Sequence, residues 1–141
     1  MNIQNKKAFH NYEILEKIES GIALEGSEVK SLRQGRASLK ESYGKVENGE
    51  IVLYNFHISS YDASFEKHEP LRKKKLLLHK REIRRLLKKT QEKGLTIVPV
   101  KVYSNNRGFV KVEIALAKGK LLYDKRRVLK EKEQKERLNA N

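Results

Sequence analysis

His10 and Tyr12, with one residue between them, and a dense run of cations between Arg72 and Lys89 are the groups in this chain best placed to do chemistry. That chemistry is recognition of a polyanion. Aromatic planes hold unpaired bases without reading sequence, and guanidinium and ammonium groups neutralise phosphates. Spacing alone allows Tyr12 and Tyr43 to be either stacking platforms or packing residues. Glu19, Glu28 and Glu113 are candidates for holding arginines in place or for accepting from base or ribose groups, although a plain surface carboxylate is the commoner case. Catalysis has no comparable signal. His10, His57, His68 and His79 lack metal-ligand spacing, and no glycine-rich phosphate loop or nucleophile elbow occurs. Glu131, Glu133 and Glu136 sit in a charge-mixed stretch that gives a metal pair no fixed geometry. The expectation is therefore a binding protein, not an enzyme, with no cofactor and no metal.

The charge is segregated. Residues 1–69 carry nine Lys/Arg against eleven Asp/Glu and residues 70–141 carry 23 against seven, so −2 is followed by +16 to give the net +14. A field of that size attracts nucleic acid. The chain has 141 residues, the size of one domain. Its 38% apolar and 35% charged content suits a compact core with a solvated segment. The absence of cysteine excludes a disulfide framework, a thiolate metal site and a cysteine nucleophile, and fits a cytoplasmic protein. Met1 to Phe9 carries Asn, Gln and Lys where a signal peptide needs an apolar run, and no stretch is apolar enough to span a membrane.

These groups must be positioned by short elements. Tyr12 to Leu24 suits one or two strands with a bend at Gly21. Ser27 to Arg33 reads as a short helix that Ser27 can cap, ending near Gly35. Asn48-Gly49 supplies a tight turn for a hairpin across Tyr43 to Ser59. Val98, Val100 and Val102 alternate, Ser104 to Gly108 turn, and Val110, Val112, Ile114 and Leu116 alternate again, leaving Lys111 and Glu113 on the other face. Between the hairpins a helix from His79 to Lys93, closed by Gly94, puts Ile83, Leu86 and Leu87 on one side. Lys80, Arg81, Arg84, Arg85, Lys88 and Lys89 lie opposite, interrupted only by Glu82; a merely solvated face would mix signs. The expected fold is mainly β: a small antiparallel barrel of oligonucleotide-binding type with two or three flanking helices. Residues 1–122 would form this RNA-binding domain. Residues 123–141 would be a flexible basic tail, too poor in apolar residues to fold alone, with Glu131–Lys135 and Glu133–Arg137 spaced to support a helix on a partner surface.

Several strings are more specific. G-S-E-V-K-S-L-R at 26–33, G-R-A-S-L-K-E-S-Y at 35–43, K-L-L-L-H-K-R-E at 75–82, E-K-G-L-T at 92–96, A-L-A-K-G-K at 115–120 and Y-D-K-R at 123–126 resemble the small protein B family, and the blocks span nearly the whole chain. The resemblance implies a bacterial trans-translation factor. It implies binding to the tRNA-like part of transfer-messenger RNA, delivery of the alanylated RNA with elongation factor Tu to stalled 70S ribosomes, and a tail that enters the empty messenger channel beside the 16S RNA of the decoding site. It also implies that Glu19, Leu77 and Lys111 hold the RNA, that His10, Tyr12, Glu28, Lys30, Ser31 and Arg33 lie near RNA together with Lys118 and Lys120, and that Asp124, Lys125 and Arg126 act on the ribosome beyond a hinge at Gly119. One departure is Leu121 and Leu122 after Lys120, where the family pattern continues with a further lysine. The alternative reading is a non-specific basic RNA-binding or ribosomal protein.

Overall fold

The computed structural model describes residues 1–60, 68–92 and 94–119. In chain order the elements are β1 (Asn2–Gln4), α1 (Lys6–Asn11), β2 (Tyr12–Ile22), α2 (Gly26–Arg33), β3 (Ala37–Ser38), β4 (Tyr43–Glu47), β5 (Glu50–Tyr54), β6 (His57–Ile58), β7 (Lys74–Leu77), α3 (Lys80–Thr90), β8 (Leu95–Ser104) and β9 (Val110–Gly119). The architecture is mainly β, as expected, with three flanking helices among the described residues. Asn48 and Gly49 both take positive φ, at 49° and 75°, and make the expected hairpin turn between β4 and β5. β3 and β6 form a separate two-stranded sheet.

The main sheet is antiparallel with pairing order β1-β8-β4-β5-β7-β2-β9, and β8 also pairs β9. It curls on itself without becoming a continuously closed barrel: β4 meets β8 at a single register pair, Gly44↔Ile97, and β2 meets β7 at only two. A Cβ at Gly44 would stand 2.8 Å from Ile97 Cγ2, so only glycine lets the two strands approach there. Inside the curl, Ile18, Leu53, Leu76, Val112 and Ile114 pack with Phe56, with Leu32 of α2 and with Ile83 and Leu86 of α3. Each such side chain contributes about 1.5–3 kcal/mol.

Four local readings are corrected. Gly21 is no bend: β2 continues through it, and the irregularity lies instead between Ile14 and Glu16, where Leu15 is skipped in the register. Val98, Val100 and Val102 do not share a face, because a second bulge between Pro99 and Lys101 shifts the parity of β8. Val102 joins the main core, whereas Val98 and Val100 join Ala115, Ala117 and Ala8 in a smaller cluster under α1. That helix and β1 carry no sequence signal strong enough to announce them, since only Ala8 of α1 is buried. Thirdly, the N-cap of α2 is Glu25, whose N–H donates to Glu28 at 2.8 Å; the Ser27 hydroxyl bonds His68 Nδ1 at 2.9 Å instead. Finally, α3 ends at Thr90, ahead of Gly94 with its φ of +86°, and Leu87 stays 40% exposed.

Candidate nucleic-acid interface

The pairing register decides which side chains meet. Gly21 pairs Leu77 on one edge and Lys111 on the other, and Lys111 pairs Tyr103 in turn. Partners in an antiparallel ladder point to the same face. Leu77, Gly21, Lys111 and Tyr103 therefore form one row across β7, β2, β9 and β8. In the next row Glu19 pairs Glu113, which pairs Lys101. The three residues expected to hold RNA, Glu19, Leu77 and Lys111, thus lie together on one outer face, although 92 positions separate the first from the last in sequence.

This face is open. Leu77 is 50% exposed, because Gly21 beside it offers no side chain to cover it. The Tyr103 hydroxyl donates to Glu19, and burial together with that acceptor pushes its pKa up to about 12, so the phenol stays protonated at neutral pH. Glu113 stands 3.8 Å from Lys17 and 4.0 Å from Lys101. Tyr103 escapes sequence reasoning: alternation past Val102 would turn it outward, but its place beside Lys111 comes from the β8–β9 register.

His10 and Tyr12 lie at the other end of β2, in a cleft of about 900 Å³ that also takes in Lys7, Lys40, Tyr43 and Asn55. Tyr43 stacks on Tyr54 with ring centroids 5.4 Å apart and planes at 9°. Tyr12 is half-buried against the small cluster under α1, so it is partly a packing residue. Gly119 pairs Tyr12, and the exposed Lys118 pairs Glu13, which puts the end of β9 beside this cleft. Lys120, Asp124, Lys125 and Arg126 lie outside the described residues, as do Leu121, Leu122 and the expected tail.

On α2 the expected residues divide. Lys30 and Arg33 are exposed, whereas Glu28 and Ser31 are fully buried and present no surface. Glu28 accepts from Arg72 Nε at 3.2 Å and from Arg72 Nη2, and it faces Lys74 at 3.9 Å. Burial alone would push its carboxyl up, but the bonds from Arg72 and from the Glu25 N–H, with the charges of Arg72 and Lys74, hold it below the usual carboxylate range. Lys74, also fully buried, donates to the carbonyls of Phe56 at 2.6 Å and Arg72 at 2.8 Å; burial lowers its pKa to about 8. The role anticipated for glutamates in holding arginines falls on Glu28. This network joins α2 to β7 and so sets the position of Leu77 three residues on.

All six cations of α3 are exposed. Arg85 pairs with Glu16 at 2.6 Å and Lys89 with Glu92 at 3.9 Å, while Lys80, Arg81, Arg84 and Lys88 have no ion pair among the described residues. Glu82 is spent on the N-terminus of the helix, accepting from the His79 N–H at 3.1 Å. Among the described residues no group of three or more acidic or histidine side chains could hold a metal, and no helix is long and apolar enough to cross a membrane.

A family model described as SmpB protein matches residues 2–141. The chain belongs to the SmpB family. It is 58% identical over 137 residues to an SsrA-binding protein of Syntrophobacter fumaroxidans, covering 96% of this chain and 84% of that protein. An SsrA-binding protein of Aquifex aeolicus is 60% identical over 137 residues, covering 96% and 87%. A solved structure described as "tmRNA-SmpB: a journey to the center of the bacterial ribosome" contains a chain 52% identical to this one, with a TM-score of 0.72 over 84% of each chain. SmpB family membership thus extends across both the open sheet face and the stretch beyond Gly119.

Proposed function

We propose that this protein binds the tRNA-like part of transfer-messenger RNA and carries it to stalled ribosomes, where the nascent chain is tagged for degradation. The observation that carries the reading is the open row Leu77–Gly21–Lys111–Tyr103, with Glu19 beside it, in a chain of the SmpB family. Lys111 supplies a phosphate contact, Glu19 fixes Tyr103, and Leu77 shapes the surface. Glu28 and Ser31 act from beneath, through α2, whose Lys30 and Arg33 face solvent and can meet phosphate. His10 and Tyr12 stack on RNA at the cleft, and Lys118 and Lys120 continue the basic path to the hinge at Gly119. Residues 1–122 form the RNA-binding domain and residues 123–141 the basic tail, which becomes helical in the empty messenger channel. There Asp124, Lys125 and Arg126 act near the 16S RNA of the decoding site. The complex arrives with alanylated RNA and elongation factor Tu. The protein works in the cytoplasm as a binding factor and not as an enzyme.

The exposed basic side of α3 favours a second reading, a protein that coats ribosomal RNA through phosphate contacts alone. Competition separates the two. Purified protein bound to transfer-messenger RNA at near-physiological salt is challenged with excess ordinary tRNA. Retention of transfer-messenger RNA supports the first reading, and equal displacement establishes the second.

A further inference from the structure

Phe109 is 62% exposed, yet the loop that displays it is tightly pinned. Asn105 Oδ1 accepts from the N–H groups of Arg107 and Phe109, both at 3.0 Å, and the Asn105 N–H donates to the Phe109 carbonyl at 2.9 Å. Gly108 turns the chain with a φ of +81°. Such a frame lowers the backbone entropy that a mobile loop would lose on binding. The ring borders a groove of about 300 Å³ formed with Gly21, Leu24, Val29, Leu77 and Lys111. Among the described residues, Lys111 is the one charged residue of that lining.

An exposed aromatic, an exposed leucine and a single cation around an uncovered glycine have a chemical meaning. The apolar walls suit a flat, uncharged ring, and the ammonium suits the phosphate attached to it. The groove is also continuous with the row through Leu77 and Lys111 on which the proposed RNA contact rests. A base still paired in a helix has both faces stacked and cannot enter. We infer that this groove takes one unpaired nucleobase of the bound RNA, stacked on Phe109 against Leu77, while Lys111 neutralises its phosphate. The inference rests on the RNA-binding reading above and adds to it a subsite and a structural feature of the RNA, a base turned out of its stack.

The chain contains no tryptophan, so Phe109→Trp introduces a single indole at the groove, whose emission can be excited apart from that of the tyrosines. The variants F109A, F109W and K111A are titrated with the tRNA-like fragment of transfer-messenger RNA over a series of salt concentrations, using full-length protein. F109W, which keeps an aromatic face, should bind more tightly than F109A, with its fluorescence quenched by the RNA. F109A should weaken binding by about 5- to 100-fold, the loss of one stacked base, without changing the salt slope. K111A should lower that slope by about one ion. Normal binding by F109A, or an unquenched F109W in a bound complex, overturns the inference while leaving the RNA reading intact. Normal RNA binding by F109A with weakened ribosome association overturns it in favour of an apolar partner group. Failure of the parent protein to prefer this RNA to ordinary tRNA is the separate failure of the underlying reading.

Discussion

Lys111 and Glu19 occupy one face but act differently, and their variants separate the two modes. Lys111→Ala removes a charge that can meet phosphate, so affinity for the tRNA-like RNA should fall and the dependence of log K on log salt should flatten by about one ion. Glu19→Ala removes the acceptor that holds Tyr103. Affinity should fall there too, but with the salt slope unchanged, because the lost group is not a cation. Equal slopes for the two variants in filter binding would mean that Lys111 does not touch phosphate. The placement of Lys111 is legible in sequence, since it alternates with Val110 and Val112. Its proximity to Leu77 is not legible, because it arises from two pairings across Gly21 that no local pattern encodes.

Two elements hold that face in place by packing. At the seam between β4 and β8, Gly44→Ala would drive a methyl group onto Ile97, which is buried and cannot retreat. A loss of about 1–3 kcal/mol in urea unfolding is expected. The junction of α2 with β7 depends on Glu28. Its carboxyl is held below the usual 4.5, so its stabilisation is complete above that pH and fades as pH falls through the folded value. Glu28→Gln leaves Arg72 and Lys74 short of a counter-charge and should cost about 3 kcal/mol at neutral pH. The gap between variant and parent should narrow below pH 4.5 in parallel unfolding curves, and a constant gap would show that the charge of Glu28 is not what matters. The α2 and α3 stretches show their apolar residues at helical spacing and so are readable beforehand. By contrast α1 is six residues long with one buried side chain, and the two bulges shift parity through long-range pairing, so neither could be read locally.

Across the whole molecule the two candidate surfaces sit at opposite ends of one strand pair. Lys111 and Gly119 are eight residues apart on β9, about 26 Å at strand spacing, which exceeds a Debye length of about 8 Å in physiological salt. Changes at the two ends should therefore be nearly independent. Replacing Asp124, Lys125 and Arg126 with alanine should leave binding of transfer-messenger RNA unchanged and abolish tagging on stalled ribosomes in a reconstituted translation assay. Weakened RNA binding by that triple variant would show that the tail shares the first surface. The sequence alone determined the sign and distribution of charge, the hairpin turns, the apolar faces of two helices and the mainly β class, because composition, turn chemistry and short-range periodicity are local properties; the family resemblance rested on particular strings between residues 26 and 126. The tertiary structure decided that Glu28 and Ser31 are buried, that Tyr103 and Phe109 join Leu77 and Lys111, and that the sheet curls without closing all round. Those outcomes depend on strand register and on bulges, and both are set by which distant segments pair.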